Sequence, residues 1–345
     1  MRDVIVYPFP YSQKSNRYID LLYTAVRRQP GVSVQESSLA GIIVRRLKNP
    51  NARQVVHVHW SVMLFGSRFL LKAILKLFQS VILLAILKAM NVRIVWTMHN
   101  LIAHDFPYPR LDRLARKFFW ILSDVIIIQQ KSVADQLAKQ YPNKTIRYIP
   151  LGNYIDAYGP SSDERQAFRK RLHISEQAVV VLSLGLLRPY KHVEELIDVV
   201  IAAQVPELVL VIAGPAKPAY AKSLQVRIAD NPAIKLIDTY IPDAEVAGYF
   251  ALADWSVFWY DRSTLTSASI MLSLSYGVPV ACRDVPAADI LTNENGFIFK
   301  DRASMIAFLK SLPNLKPLSL GQVVDSVRRY DWDEIARQTL QTYVN

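Results

Sequence analysis

Short apolar runs of strand length alternate with helix-length amphipathic segments along the whole chain. The runs are Val4–Tyr7, Val55–His59, Arg93–Thr97, Val125–Ile128 and Ile146–Ile149, then Val179–Leu184, Leu208–Ala213, Ile234–Ile237, Trp255–Trp259 and Val278–Ala281. Strands separated by helices predict parallel sheets with helices on both faces. The two series are divided by Gly159-Pro160-Ser161-Ser162-Asp163, which predicts two doubly wound α/β domains, 1–158 and 159–330. Residues 331–345 predict a closing helix, with Asp331 and Glu334 spaced as a capping box. In open parallel sheets ligands gather at the carboxyl ends of the strands, so a shared substrate belongs in the cleft between the domains.

Residues 62–90 depart from this alternation. Nearly every position is apolar, and a helix is predicted throughout. Arg68, Lys72, Lys76 and Ser80 recur every fourth residue and fall on one stripe, followed by Lys88. The longest uncharged stretch after Lys76, Leu77–Leu87, has 11 residues, short of the roughly 20 that cross a bilayer. Two readings stand: an amphipathic helix lying in a membrane interface, or a core helix whose basic stripe is solvated.

With 51% hydrophobic residues in 345, the chain has the material for large cores and does not read as disordered. Its formal charge of +12 is unevenly spread. Residues 1–160 hold 22 Lys and Arg against 8 Asp and Glu, and residues 161–345 hold 19 against 21. A basic first half suits an anionic partner: phospholipid, lipid diphosphate or nucleic acid. No helix-turn-helix spacing, zinc-ligand set or aromatic-rich sheet motif accompanies it, which argues against nucleic acid. The one cysteine, Cys282, allows no internal disulfide and fits a reducing compartment. The N-terminus runs directly into Val4-Ile5-Val6-Tyr7 without a signal-peptide pattern.

Candidate chemistry gathers where strands end. Val179–Leu184 runs into Gly185, then Arg188, Pro189 and Lys191, then an amphipathic helix whose first turn Pro189 suits. Such a corner offers backbone N–H groups and a positive dipole end to an anion, and two cations three residues apart add to it. Thr264-Leu265-Thr266-Ser267-Ala268-Ser269 opens a second apolar helix, where hydroxyls cap the helix or bind phosphate. Thr97-Met98-His99-Asn100 ends another strand and His104-Asp105 follows, a set able to supply a base, an orienting group and substrate ligands. His57 and His59 share one face of their strand but lack a third ligand nearby, which argues against a metal. The loop Pro8–Arg17, with Tyr11, Lys14 and Asn16, is polar and suits an acceptor or a diphosphate.

Taken together, Asn16-Arg17-Tyr18-Ile19-Asp20, His57-Val58-His59-Trp60, Thr97-Met98-His99-Asn100, His104-Asp105, Leu186-Leu187-Arg188-Pro189-Tyr190-Lys191, Gly277-Val278-Pro279-Val280 and Asp331-Trp332 resemble the GT-B glycosyltransferases. Within that fold they resemble the inverting β-mannosyltransferases of xanthan-type exopolysaccharide assembly, over nearly the whole chain. The resemblance implies two facing Rossmann-like domains, 1–158 binding the acceptor and facing the membrane, 159–330 binding the nucleotide sugar. The helix 331–345 would cross back to the first domain. Donor contacts would come from Gly185, Arg188, Lys191, Tyr240, Ile241, Thr266 and Ser267, and acceptor contacts from Tyr11, Lys14, Asn16 and Asn100. Asp105 would be the base and His99 and His104 would orient the substrates, either histidine replacing Asp105 if its carboxylate points away. The implied partners are GDP-mannose and a polyprenyl-diphosphate-linked glycan on the inner face of the plasma membrane, with no metal ion, no other cofactor and no nucleic acid. Retaining family-4 glycosyltransferases carry two glutamates eight residues apart before the Gly-x-Pro-Val. The matching positions here are Thr264 and Leu272, so retention is disfavoured. The alternatives are a retaining transferase using a UDP- or GDP-sugar, a GT-B-like sugar-nucleotide epimerase, and a non-catalytic nucleotide-binding protein of the membrane surface.

Overall fold

Two six-stranded, wholly parallel sheets organise the chain in the computed structural model, which describes residues 3–12, 16–100, 106–160, 164–316 and 318–345. The first sheet contains β1 (Val4–Phe9), β2 (Val32–Val34), β3 (Arg53–Val58), β4 (Arg93–Thr97), β5 (Val125–Ile128) and β6 (Ile146–Tyr148), in the order β2-β1-β3-β4-β5-β6. The second contains β7 (Val179–Leu184), β8 (Leu208–Ala213), β9 (Ile234–Ile237), β10 (Trp255–Phe258), β11 (Val280–Arg283) and β12 (Gly296–Phe299), in the order β12-β11-β10-β7-β8-β9. Helices cover both faces, so an interior strand such as Val125-Ile126-Ile127-Ile128 is apolar at every position rather than at alternate ones.

The chain divides into two compact units, Met1–Gly152 with Tyr330–Asn345, and Asn153–Arg329. The last helix, Trp332–Val344, packs on the helix Tyr18–Arg28 of the first unit. There Arg28 Nε donates to Asp333 Oδ1 at 3.0 Å, Arg93 Nε donates to the Thr342 carbonyl at 2.7 Å, and the Trp332 ring meets Tyr18 edge-on at 5.8 Å.

Each sheet reverses its direction of winding once, and this places the functional loops. In the first, the chain goes from β1 outward to β2 and then returns to the other side of β1 as β3. In the second, it goes from β7 outward through β8 and β9 and returns to the other side of β7 as β10. The loops leaving β1 and β3, and those leaving β7 and β10, therefore diverge and leave a crevice at the carboxyl ends of the strands.

Four local features differ from the sequence reading. The edge strands β2 and β12 were not expected, being short, only partly buried, and preceded or begun by a glycine. The apolar segment 62–90 is not one helix. A turn, Val62–Phe65, stops at Gly66, and a second helix, Leu70–Ala89, starts after Ser67 Oγ accepts the Phe69 N–H at 3.1 Å. Arg68 thus lies outside the helix. Ser80 is buried, its hydroxyl donating to the Leu64 carbonyl at 3.1 Å on the inward seam Ala73, Leu77, Ser80, Leu84 and Leu87, so it does not share the stripe of Lys72 and Lys76. Pro189–Lys191 forms a separate 3-10 turn. His192, at φ 48°, breaks it from the helix Val193–Ala203, so Pro189 does not begin that helix. At the last helix Asp331 caps alone, accepting the Asp333 N–H at 2.8 Å, while Glu334 accepts from Gln338 and Arg337 instead of closing a box.

Candidate active site

The crevice between β7 and β10 in the second unit holds a cation, Lys191, with no carboxylate against it among the described residues. Gly185 ends β7 at φ 134° and Gly214 ends β8 at φ 143°. A Cβ on Gly214 would stand 2.1 Å from the Gly185 carbonyl oxygen, so the close approach of the two loops requires glycine there. A Cβ on Gly185 would lie 2.7 Å from Ser269 Oγ and 3.0 Å from Lys191 Nζ, which shows both groups converging on that bare backbone. Lys191 Nζ stands 5.7 Å from the centre of the buried Tyr260 ring, and Tyr260 OH lies 2.9 Å from Ser267 Oγ. Ser267 also caps the helix Ala268–Ser275 by accepting the Ile270 N–H at 3.2 Å, while the earlier N–H groups of a first helical turn have no acceptor within their own helix. Among the described residues Lys191 pairs with no Asp or Glu. Burial, and then the charge of Arg188, pull its pKa down to about 8. The arrangement is a positive niche, rimmed by hydroxyls and a helix start, with room at a glycine for an anion.

Arg188 belongs to this loop but is partly engaged by the backbone. Its Nη1 donates to the Leu187 carbonyl at 3.0 Å and, at 3.5 Å, to that of Pro215. The turn is tied to the loop after β10 by the Asp261 N–H, which donates to the Tyr190 carbonyl at 2.9 Å. Thr266 stands just before the capping Ser267. Tyr240 and Ile241 are placed differently. They follow β9, two strands from β7 at the sheet's edge, where the exposed Tyr240 donates to Asp243 Oδ1 at 3.2 Å and Ile241 is buried. Leu272 is buried within the helix Ala268–Ser275. Tyr260 and Gly214 did not stand out in the sequence as parts of a site, whereas Ser269 closes the hydroxyl run expected to cap a helix or bind phosphate.

In the first unit, the carboxyl ends of β1, β3 and β4 carry a buried histidine–tyrosine network. The spacing of two on a strand does bring His57 and His59 to one face, with ring centres 4.1 Å apart. Tyr23 OH lies 2.9 Å from His57 Nδ1 and 2.7 Å from His59 Nε2, Tyr343 OH lies 2.7 Å from His57 Nδ1, and Thr97 Oγ1 lies 2.8 Å from His57 Nε2. His99, beyond β4, donates through Nδ1 to Gln129 Oε1 at 3.0 Å, since an amide oxygen only accepts. Trp60 stacks on His99 with ring centres 4.6 Å apart. Among the described residues no three His, Cys, Asp or Glu side chains gather as metal ligands. Burial holds His57 and His99 down to about 3 and His59 well below its ordinary value, with neighbouring histidines adding to the effect on His57 and His59.

The network has a consequence for stability. All three histidines fold neutral, whereas an unfolded chain takes up their protons below about pH 6.5. The unfolded state then binds more protons than the native one, so stability falls as pH falls, by about 1 kcal/mol per histidine per pH unit. The calorimetric midpoint of the first unit is expected to drop by about 5 °C or more between pH 7 and pH 5. A midpoint unchanged over that range would show that these rings are not held neutral.

Among the acceptor candidates, Tyr11 OH accepts from Arg27 Nη2 at 3.1 Å, Asn16 Oδ1 accepts the Tyr18 N–H at 2.9 Å, and the Asn100 carbonyl accepts from Arg116. Lys14, His104 and Asp105 lie outside the described residues.

No protein-family model matches the chain. A GDP-mannose:glycolipid 4-beta-D-mannosyltransferase of Xanthomonas campestris pv. campestris is 25% identical over 301 residues, 84% of this chain and 79% of its own. The chain is a glycosyltransferase of the GT-B fold. Among solved structures, sucrose-phosphate synthase from Thermosynechococcus elongatus superposes with a TM-score of 0.75 at 14% identity, over 99% of this chain and 98% of that one. The HepE protein of Anabaena, solved with UDP-glucose, gives 0.70 at 14% identity, over 99% of both chains. Both show the same fold for this glycosyltransferase.

Proposed function

We propose that this glycosyltransferase moves mannose from GDP-mannose to a lipid-diphosphate-linked oligosaccharide, with inversion, on the inner face of the plasma membrane during exopolysaccharide assembly. The observation that carries the reading is Lys191, a half-buried cation without a carboxylate partner among the described residues, facing Gly185 and the helix that begins after Ser267. Negative charge appears on the diphosphate as the sugar leaves, and a preformed cation stabilises that state more than the ground state. The name of the Xanthomonas relative supports the donor and a glycolipid acceptor, and the UDP-glucose in the HepE structure supports a nucleotide sugar more generally. A β-mannoside formed from the α-linked donor in one displacement requires inversion.

In this scheme the acceptor hydroxyl attacks the anomeric carbon opposite the diphosphate, and Asp105 takes its proton. His99 is the weaker candidate, because a ring held down to about 3 by burial resists becoming an imidazolium, whereas a carboxylate that takes a proton loses its charge. Lys191, Arg188 and the N–H groups after Ser267 hold the departing GDP. With that charge supplied by the protein, activity is expected to survive EDTA.

Thermal-shift measurements with GDP, UDP, dTDP and ADP in EDTA test the reading. GDP is expected to raise the midpoint, by the equivalent of about 2.7 kcal/mol at a hundred times its Kd. Stabilisation by UDP and not by GDP would replace the donor, and stabilisation by none would remove nucleotide binding from the niche.

A further inference from the structure

The helix Leu70–Ala89 is apolar on two opposite faces, and among the described residues only one is covered by protein. Ala73, Leu77, Leu84 and Leu87 form the inward seam. Leu71, Leu75, Phe78, Ile82 and Ile86 recur at the same helical spacing half a turn away, and each is between 41% and 69% exposed. Lys72 and Lys76 are exposed on the flank between the two faces. The helices Leu39–Lys48 and Pro109–Leu122, which pack beside it, carry exposed Leu47 and Ile121. A row of large apolar side chains this long is not left in water without a partner.

We infer that this outward face is a membrane-docking surface, on which Leu71, Leu75, Phe78, Ile82 and Ile86 enter the acyl boundary of an anionic bilayer while the helix lies parallel to it. The inference rests on the membrane-surface reading above and names the element that makes the contact. Twenty residues are long and apolar enough to cross a bilayer, but a helix packed on its own domain along the whole inward seam cannot be surrounded by lipid. It lies in the interface. Charge selects lipid over a second copy of the chain. Between Glu36 and Asp105 there are nine Lys and Arg and no Asp or Glu, so a two-fold pairing of this face would set lysines against lysines. An anionic headgroup layer meets the same flank with attraction. The apolar row does the inserting, so binding persists in high salt, unlike that of a purely basic patch.

Sedimentation with vesicles of phosphatidylglycerol and phosphatidylcholine in equal parts, and of phosphatidylcholine alone, tests this at low and high salt. The wild type is expected to bind both, the mixed vesicles more tightly, and to stay bound to them in high salt. The triple variant Leu75→Gln, Phe78→Gln, Ile82→Gln alters exposed positions only and is expected to lose more than about ten-fold in binding. Because Cys282 is fully buried, a Leu75→Cys variant takes an environment-sensitive fluorophore at that site alone, and its emission should shift to the blue on adding vesicles. If the wild type binds no vesicle, both this surface and the membrane reading fall. If wild type and triple variant bind alike and the fluorophore does not shift, the protein meets membrane elsewhere and only this surface falls. If the wild type is a dimer that the triple variant dissociates, the face belongs to a second copy.

Discussion

Lys191→Met is expected to give a protein that unfolds at a higher temperature and no longer holds a nucleoside diphosphate. In the free protein the Lys191 ammonium is charged at neutral pH although burial and Arg188 pull its pKa from 10.5 to about 8. Keeping it charged there costs up to about 3 kcal/mol relative to water, a penalty relieved as pH rises from about 8 to 10.5, where only the unfolded chain keeps the proton. Methionine has similar length and no charge, so the midpoint is expected to rise by about 2–5 °C. The same change removes the cation that faces Gly185 and Ser269, and kcat/KM is expected to fall by about 10²–10³. In the wild type a bound diphosphate raises the Lys191 pKa, so the complex holds its proton to higher pH than the free enzyme does. Affinity is therefore expected to decline as pH rises above about 8, and the Met variant should lack that dependence. Calorimetry for stability and titration with GDP for binding check the pair. A variant that is both less stable and still able to bind would make Lys191 a structural residue.

The architecture was legible because interior parallel strands are mostly apolar, and ten strand-length runs stand out between amphipathic segments, the two edge runs marked by Arg147 and Lys235. What escaped was what the sheet order creates. Tyr260 lies far from Lys191 in sequence, and they meet only because the crossover after β9 returns β10 to the side of β7. Gly214 looks ordinary in the sequence. Its need for glycine comes from the Gly185 carbonyl on the adjacent strand. The alternation of His57 and His59 predicted a shared face, but Tyr343, the partner of His57, comes from the other end of the chain, on a helix that returns to the first unit. Between Leu70 and Ala89 the limit is different. Where nearly every position is apolar, periodicity cannot say which face turns inward, and the charged stripe marked only the flank.

Asp105→Asn carries the other large expected effect. Asparagine keeps the size and most of the hydrogen bonding of aspartate but cannot accept a proton, so it isolates basicity. If Asp105 deprotonates the acceptor hydroxyl, kcat is expected to fall by about 10²–10⁴ while the affinity for GDP stays within a few-fold, because the groups proposed to hold the diphosphate are Lys191, Arg188 and the N–H groups after Ser267. A base acts on the attacking oxygen and a cation on the leaving one, so this pattern is the reverse of that for Lys191→Met, which loses binding as well as turnover. His104→Ala, made in parallel, separates the two neighbours. Loss of an orienting group leaves the base in place, so turnover falls but keeps the wild type's pH dependence, whereas loss of the base leaves a residual turnover that rises with pH as the acceptor hydroxyl becomes easier to ionise. The anomeric proton of the product glycoside, observed by NMR, gives the stereochemistry. A β-linked product from the α-linked donor fits one displacement with Asp105 as base. Near-full turnover in Asp105→Asn would move the role to His104, and an α-linked product would end the single-displacement scheme whatever the mutants do.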